Sequence, residues 1–130
     1  MTGATAIDKL GTVIVTVGDQ DGAIAFYTEK LGFEKRTDVP MGDGYRWVEV
    51  APAGAETTIA VVPPPEGSDA GGKQTGIALS TTDVEADHAA LRERGVDVDE
   101  EISRMGGPVP PMFWFRDPDG NSLLIVQSQD

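Results

Sequence analysis

The sequence predicts an α+β fold in which two tandem βαβββ modules form curved mixed sheets around a crevice. Three observations carry this expectation. A strand, an acidic helix cap, a helix and a glycine stop occur twice, with the caps Asp19 and Asp83 lying 64 positions apart and the stops Gly32 and Gly95 lying 63 apart, which marks an internal repeat. Three further strand-like runs follow each helix. Between the halves, Pro63 to Gly72 can continue neither pattern, because proline lacks the ladder donor and glycine is entropically costly to order. The 130 residues are therefore expected to form one domain over 1–130, with a first module at about 9–62, a linker at 63–74 and a second module at about 75–127. Neither half alone could bury both its sheet face and its helix stripe.

Leu10 to Val17 opens the chain with β-branched residues suited to a pleated surface. Asp19 then offers a helix cap, Ala23, Ile24, Tyr27 and Leu31 form an apolar helical stripe, and Gly32 supplies the left-handed stop. Strands follow at about Phe33–Asp38, Tyr45–Ala51 and Thr57–Val62, divided by turn-prone residues at 40–44 and 52–54. The second half repeats the order. Gly76–Thr81 reads as a strand, Asp83 as the cap, Val84, His88 and Leu91 as one helix face, and Gly95 as the stop. Strands at about Val96–Arg104, Met112–Arg116 and Ser122–Val126 close the chain, the last two joined by the turn Asp117-Pro118-Asp119-Gly120.

Composition excludes several functions. Ten Lys and Arg against 22 Asp and Glu give a formal charge of −12, the wrong sign for a phosphate backbone or an anionic membrane surface, so neither nucleic acid nor membrane is an expected partner. The absence of cysteine removes disulfides, thiolate nucleophiles and iron–sulfur ligation, and suits a reducing compartment. Met1 to Asp8 carries no basic stretch followed by an apolar core, so a cytoplasmic location is expected. The glycine pairs at 71–72 and 106–107 match no phosphate-cradling pattern.

Phe26-Tyr27 in the first helix, Leu31-Gly32-Phe33 at its end and Asp117-Pro118-Asp119-Gly120-Asn121 before the last strand, set in a doubled βαβββ frame, resemble the vicinal oxygen chelate superfamily. That family includes glyoxalase I, extradiol dioxygenases, and fosfomycin- and bleomycin-resistance proteins. The resemblance spans about residues 9–127 and implies a glyoxalase/bleomycin resistance/dioxygenase-like fold and a homodimer. In the family's metalloenzymes a His, Gln or Glu stands on the first and last strand of each repeat. The corresponding positions here are Thr12, Ala60, Gly76 and Leu124, and alanine, glycine and leucine offer no donor while a threonine hydroxyl is a feeble one. No metal and no cofactor is therefore expected.

Tyr45, Trp47 and Glu49 alternate along one strand and so share one face. The resemblance implies that this face looks into the crevice, where the rings would wall an organic ligand. Glu49 beside them is the candidate catalytic residue, a carboxylate whose pKa partial desolvation would raise. Trp114 stands opposite Phe113 and Phe115 on its strand and, with Thr12 and Leu124, completes the candidate substrate-binding set. His88, the one histidine, shares a face with Val84 and Leu91 and reads as a half-buried, hydrogen-bonded residue away from the crevice. Arg104 to Met112 has the glycine and proline content of a lid. The expected function is metal-independent binding of a small hydrophobic or aromatic metabolite or antibiotic. The alternatives are a glyoxalase-like lyase or isomerase using Glu49 as acid and base, or a metalloenzyme with non-standard ligands such as Glu49 and His88.

Overall fold

A computed structural model of the chain describes residues 5–42 and 44–128, so Asp43 in the expected turn and the first four residues of the N-terminal stretch lie outside the described residues. The first half runs β1 (Thr12–Thr16), α1 (Gln20–Ala25), β2 (Glu34–Gly42), β3 (Tyr45–Ala51) and β4 (Thr58–Val62). The second runs β5 (Gln74–Thr81), α2 (Val84–Glu93), β6 (Asp97–Val98), β7 (Met112–Arg116) and β8 (Ser122–Gln127). Each half folds into a four-stranded mixed sheet, ordered β1-β4-β3-β2 and β5-β8-β7-β6, so that β1 and β5 are both edge strands.

The repeat read from the sequence reappears in the backbone. Asp19 accepts the Gly22 N–H and Asp83 accepts the Ala86 N–H, satisfying donors that the first helical turn leaves free. Ile14 pairs with Ala60 in the first half as Ala78 pairs with Leu124 in the second, each 64 positions on. The one-residue difference between the cap spacing and the glycine spacing also has a local cause. After Ala25 the first helix widens into a π-helical turn over Phe26–Lys30, which accommodates one extra residue without breaking the helix.

Both helices cover one face of the sheets and share a single apolar core. Val15, Val48, Val50 and Val61 of the first sheet join Phe113, Phe115, Leu123 and Ile125 of the second, with Ala23, Phe26, Tyr27, Val84 and Leu91 of the helices among them. The core crosses the seam: the rings of Phe26 and Phe115 stack with centroids 6.2 Å apart. Each large side chain withdrawn from water in this way contributes roughly 1.5–3 kcal/mol.

Polar bonds close one flank of the seam. The buried Tyr27 hydroxyl donates to Asp117 Oδ2 at 3.1 Å, and Asn121 Nδ2 donates both to that oxygen and to the Thr16 carbonyl. The Gly18 N–H donates to Asp119 Oδ1 at 2.9 Å. Gly71, at φ +75°, lies so close to the same turn that a Cβ would run into the Asp119 carbonyl. At the helix ends, Lys30 Nζ donates to the Arg94 carbonyl and Arg94 Nη1 to the Lys30 carbonyl, a reciprocal contact of near two-fold form.

Several element boundaries differ from expectation, among them those of β1, which spans Thr12–Thr16 where Leu10–Val17 was expected. β2 continues past Asp38 through Pro40 to Gly42, tolerable because β2 is an edge strand and needs no donor on its open side. β6 is two residues where nine were expected: the Asp99 N–H still donates to the Trp114 carbonyl, but the Trp114 N–H donates to the Asp99 carboxylate, which also takes the Arg116 guanidinium, and beyond Asp99 the next pairing with β7 is Ser103 opposite Met112. β5 begins two residues early, at Gln74, and β8 ends one residue late, at Gln127.

Candidate functional site

Strand alternation and register together assemble a polar cluster on the sheet face opposite the helices. On β3, Val48 and Val50 turn into the core, leaving Tyr45, Trp47 and Glu49 on the other side. Glu49 lies opposite Ala60 on β4, which places Thr58 on the same face, and Thr12 of β1 is level with Thr58. Trp47 Nε1 donates to Glu49 Oε2 at 2.6 Å, Thr58 Oγ1 donates to Glu49 Oε1 at 2.7 Å, and the Thr12 and Thr58 hydroxyls are 2.9 Å apart. A hydroxyl carries one proton. With that of Thr58 directed at Glu49, Thr12 is the donor of the remaining bond, and three strands are tied into one chain of hydrogen bonds.

The consequence for Glu49 is opposite to the sequence expectation. The hydrogen bonds from Thr58 and Trp47 favour the carboxylate and outweigh the opposing effect of partial burial, so its pKa is lowered and not raised. Each carboxylate oxygen has further lone-pair capacity, so an ionised Glu49 can still accept from a ligand. Beside it the indole of Trp47 offers an apolar face with its one donor already used.

The second half does not reproduce this cluster. Trp114 and Leu124 are opposite one another on β7 and β8, on the face away from the buried Phe113, Phe115, Leu123 and Ile125. Because Trp114 opposes Leu124 as Glu49 opposes Ala60, Trp114 is the counterpart of Glu49. Gly76 departs from the position expected of it. The strand is bulged between Gln74 and Ala78, with Gly76 at φ +75°, so Gln74 and not Gly76 lies level with Ser122. No hydrogen bond or ring contact among the described residues joins the Trp114–Leu124 pair to the Trp47–Glu49 pair.

Tyr45 stands at the open end of its strand, 52% exposed, and lines a polar hollow with Asp19, Asp21 and Arg46. A cavity of about 600 Å³ lies along the seam between β1 and β5 and reaches the cluster at Thr58, with Ile14, Gly76 and Ala78 also in its wall. Trp47, Glu49, Trp114 and Leu124 do not line it. Their face is instead open, with Ile14 59% and Val39 48% exposed.

His88 sits as expected on the helix side, its ring nitrogen 2.7 Å from the Asp99 carbonyl and its ring edge-on to Phe113 at 4.9 Å. The expected lid folds back on itself, with Ser103 paired to Met112 and Gly106 to Val109, and leaves Met105 exposed. Thr12, Ala60, Gly76 and Leu124 supply one hydroxyl between them, and that hydroxyl is engaged by Thr58. These residues do not fit a divalent cation. Among the described residues no group of three or more His, Cys, Asp or Glu could hold one elsewhere.

Thr58 is the functional candidate that the sequence reading missed. It reads locally as one of two threonines opening a strand, and only the pairing of β4 with both β1 and β3 brings it to Thr12 and Glu49.

A family model described as the glyoxalase/bleomycin resistance protein/dioxygenase superfamily matches residues 9–125. The chain is similar to the uncharacterized protein YetH of Bacillus subtilis (strain 168), with 34% identity over 93% of this chain and 99% of that protein. Among solved structures it is similar to TnmS3, an antibiotic binding protein from Streptomyces sp. CB03234, with 38% identity, a TM-score of 0.84, and coverage of 97% of this chain and 100% of that one. It is also similar to a glyoxalase/bleomycin resistance protein/dioxygenase superfamily member from Sphaerobacter thermophilus, with 35% identity, a TM-score of 0.86, and coverage of 95% and 100%.

Proposed function

Because the chain belongs to the glyoxalase/bleomycin resistance protein/dioxygenase superfamily, we propose that it binds a small organic molecule without a metal, on the face that carries Trp47 and Glu49. The ligand has a flat apolar body that lies against Trp47 and a hydrogen-bond donor or cationic group that meets Glu49. The observation that carries this reading is the state of Glu49: both oxygens are held by donors and the pKa is lowered. A carboxylate so fixed makes a sound electrostatic anchor and a poor proton shuttle at neutral pH, where a general acid or base needs a pKa nearer to 7. The antibiotic-binding description of TnmS3 supports the same class of ligand. The charge of −12 favours encounter with a cation over an anion.

The test is calorimetric titration and thermal shift against a panel of aromatic antibiotics and metabolites, with and without chelator. A ligand is expected to bind equally in both conditions and to be recovered unchanged. Trp47→Ala is expected to abolish retention, and Glu49→Gln to weaken a cationic ligand by about tenfold or more, the usual cost of losing a charged hydrogen-bond partner. A compound that is consumed, with turnover reduced ~10²-fold in Glu49→Gln, would replace this reading with the lyase or isomerase one.

We further propose that the protein is a homodimer in which a second copy covers the open face. Ile14, Val39 and Tyr45 leave exposed apolar side chains on that face, and contiguous apolar surface of this kind marks an interaction site. A partner seated there would turn an open sheet into the wall of a crevice.

A further inference from the structure

The two halves fill their shared interior unequally. Corresponding positions are fixed by the hydrogen bonds that end each helix: the Phe33 N–H donates to the Tyr27 carbonyl as the Val96 N–H does to Leu91, and the Leu31 N–H donates to the Phe26 carbonyl as the Arg94 N–H does to Ala90. Tyr27 thus corresponds to Leu91, and Phe26 to Ala90. On the sheets, the matched pairs Glu49–Ala60 and Trp114–Leu124 make Pro52 the counterpart of Asp117. The contact of Tyr27 with Asp117 therefore has Leu91 and Pro52 as its counterpart on the other flank of the seam. There, a cavity of about 270 Å³ lies between them, with Leu31, Phe33, Leu79 and Ile125 in its wall.

We propose that this cavity is a second ligand site, which takes a compact uncharged compound built on one aromatic ring. The molecule itself displays what such a space holds, since on the opposite flank the rings of Phe26 and Tyr27 meet edge-on, 5.2 Å apart, at the corresponding place. Ala90 and Leu91 withdraw both rings, and Pro52 withdraws the carboxylate that the phenol would meet. An apolar cavity of roughly 150 Å³ is enough to take benzene. Asp87 and Arg94 at the wall carry opposite charges, and the Arg94 guanidinium already donates to the Lys30 carbonyl. An ionic ligand would surrender hydration here for little return. The cavity lies on the helix side of the sheets and shares no residue with the Trp47 and Glu49 cluster, so it stands or falls independently of that face.

Phenol and benzyl alcohol serve as probes, with benzoate and benzylammonium as charged controls, titrated into the isotope-labelled full chain and followed by amide and indole resonances. Saturable shifts are expected at Leu79, Ala90 and Leu91, with the Trp47 indole N–H unmoved and the charged controls about tenfold weaker or more. Ala90→Phe, which restores the ring found at Phe26, is expected to remove the saturable shifts and to raise the melting temperature by filling the void. Leu91→Phe is the companion variant with the same expectation. Shifts confined to the Trp47 face, no saturation by either neutral probe, or undiminished binding in a folded Ala90→Phe or Leu91→Phe protein would overturn the proposal.

Discussion

Glu49 owes its lowered pKa to two neighbours, and that dependence has a measurable sign. Its pKa is lower in the folded protein than in the unfolded chain, so it contributes stability that is fully present above the unfolded carboxylate value. That contribution is lost as pH falls through the folded value. Wild type is therefore expected to be more stable than Glu49→Gln at pH 7, with the gap closing as the solution is acidified below the ordinary carboxylate range; urea unfolding of both proteins at several pH values checks this. Alternation along β3 was enough to place Tyr45, Trp47 and Glu49 on one side, because that period is a property of the strand alone. The lowered pKa was not legible, since it depends on Thr58, nine positions away on another strand, and on a register that no single strand encodes.

Among the elements, those bounded by side-chain chemistry were the legible ones. Asp83 takes the Ala86 N–H at 3.0 Å at the start of α2. Asp83→Ala is expected to cost about 1 kcal/mol, read as a lower midpoint in urea with an unchanged slope. β7 fell where its aromatic alternation put it, from Met112 to Arg116. Elements whose limits depend on a partner were less legible: β2 outran its expected end because nothing on its open edge requires the donor that Pro40 lacks, and β6 ends where the side chain of Asp99 takes the Trp114 N–H, a competition with the backbone that is a tertiary event. The bulge at Gly76 moved the position matched to a family metal ligand out of register. The π-helical turn is the instructive case, because the spacing difference of one residue between the two halves was visible, but its absorption within Phe26–Lys30 was not.

At the scale of the molecule, two sheets and two helices are held by one core and one polar latch. Burial and the charge of Asp117 push the Tyr27 pKa far up, so its hydroxyl remains a donor at every working pH. Tyr27→Phe leaves Asp117 its bond from Asn121 but removes a buried partner, at an expected cost of about 1–2 kcal/mol and about 3–6 °C in Tm by calorimetry. The proposed dimer is tested at the same scale: light scattering after size exclusion is expected to give twice the chain mass, and Ile14→Asp, which puts a charge at the centre of the open face, is expected to give a monomer that still melts cooperatively. A wild-type protein with the mass of one chain would refute the dimer.

The latch also has direction. The turn from Asp117 to Asn121 grips the exit of β1 at Thr16 and Gly18, whereas the turn after β3 offers Pro52 where a carboxylate would be needed to return the grip. Two first halves brought together would bury two phenols with no acceptor, and two second halves would bury two acids with no phenol. Fragments cut within 64–70 and mixed are accordingly expected to sort into unlike pairs, so that a chain built of two similar parts behaves, at its joint, as an obligate heterodimer written on a single thread.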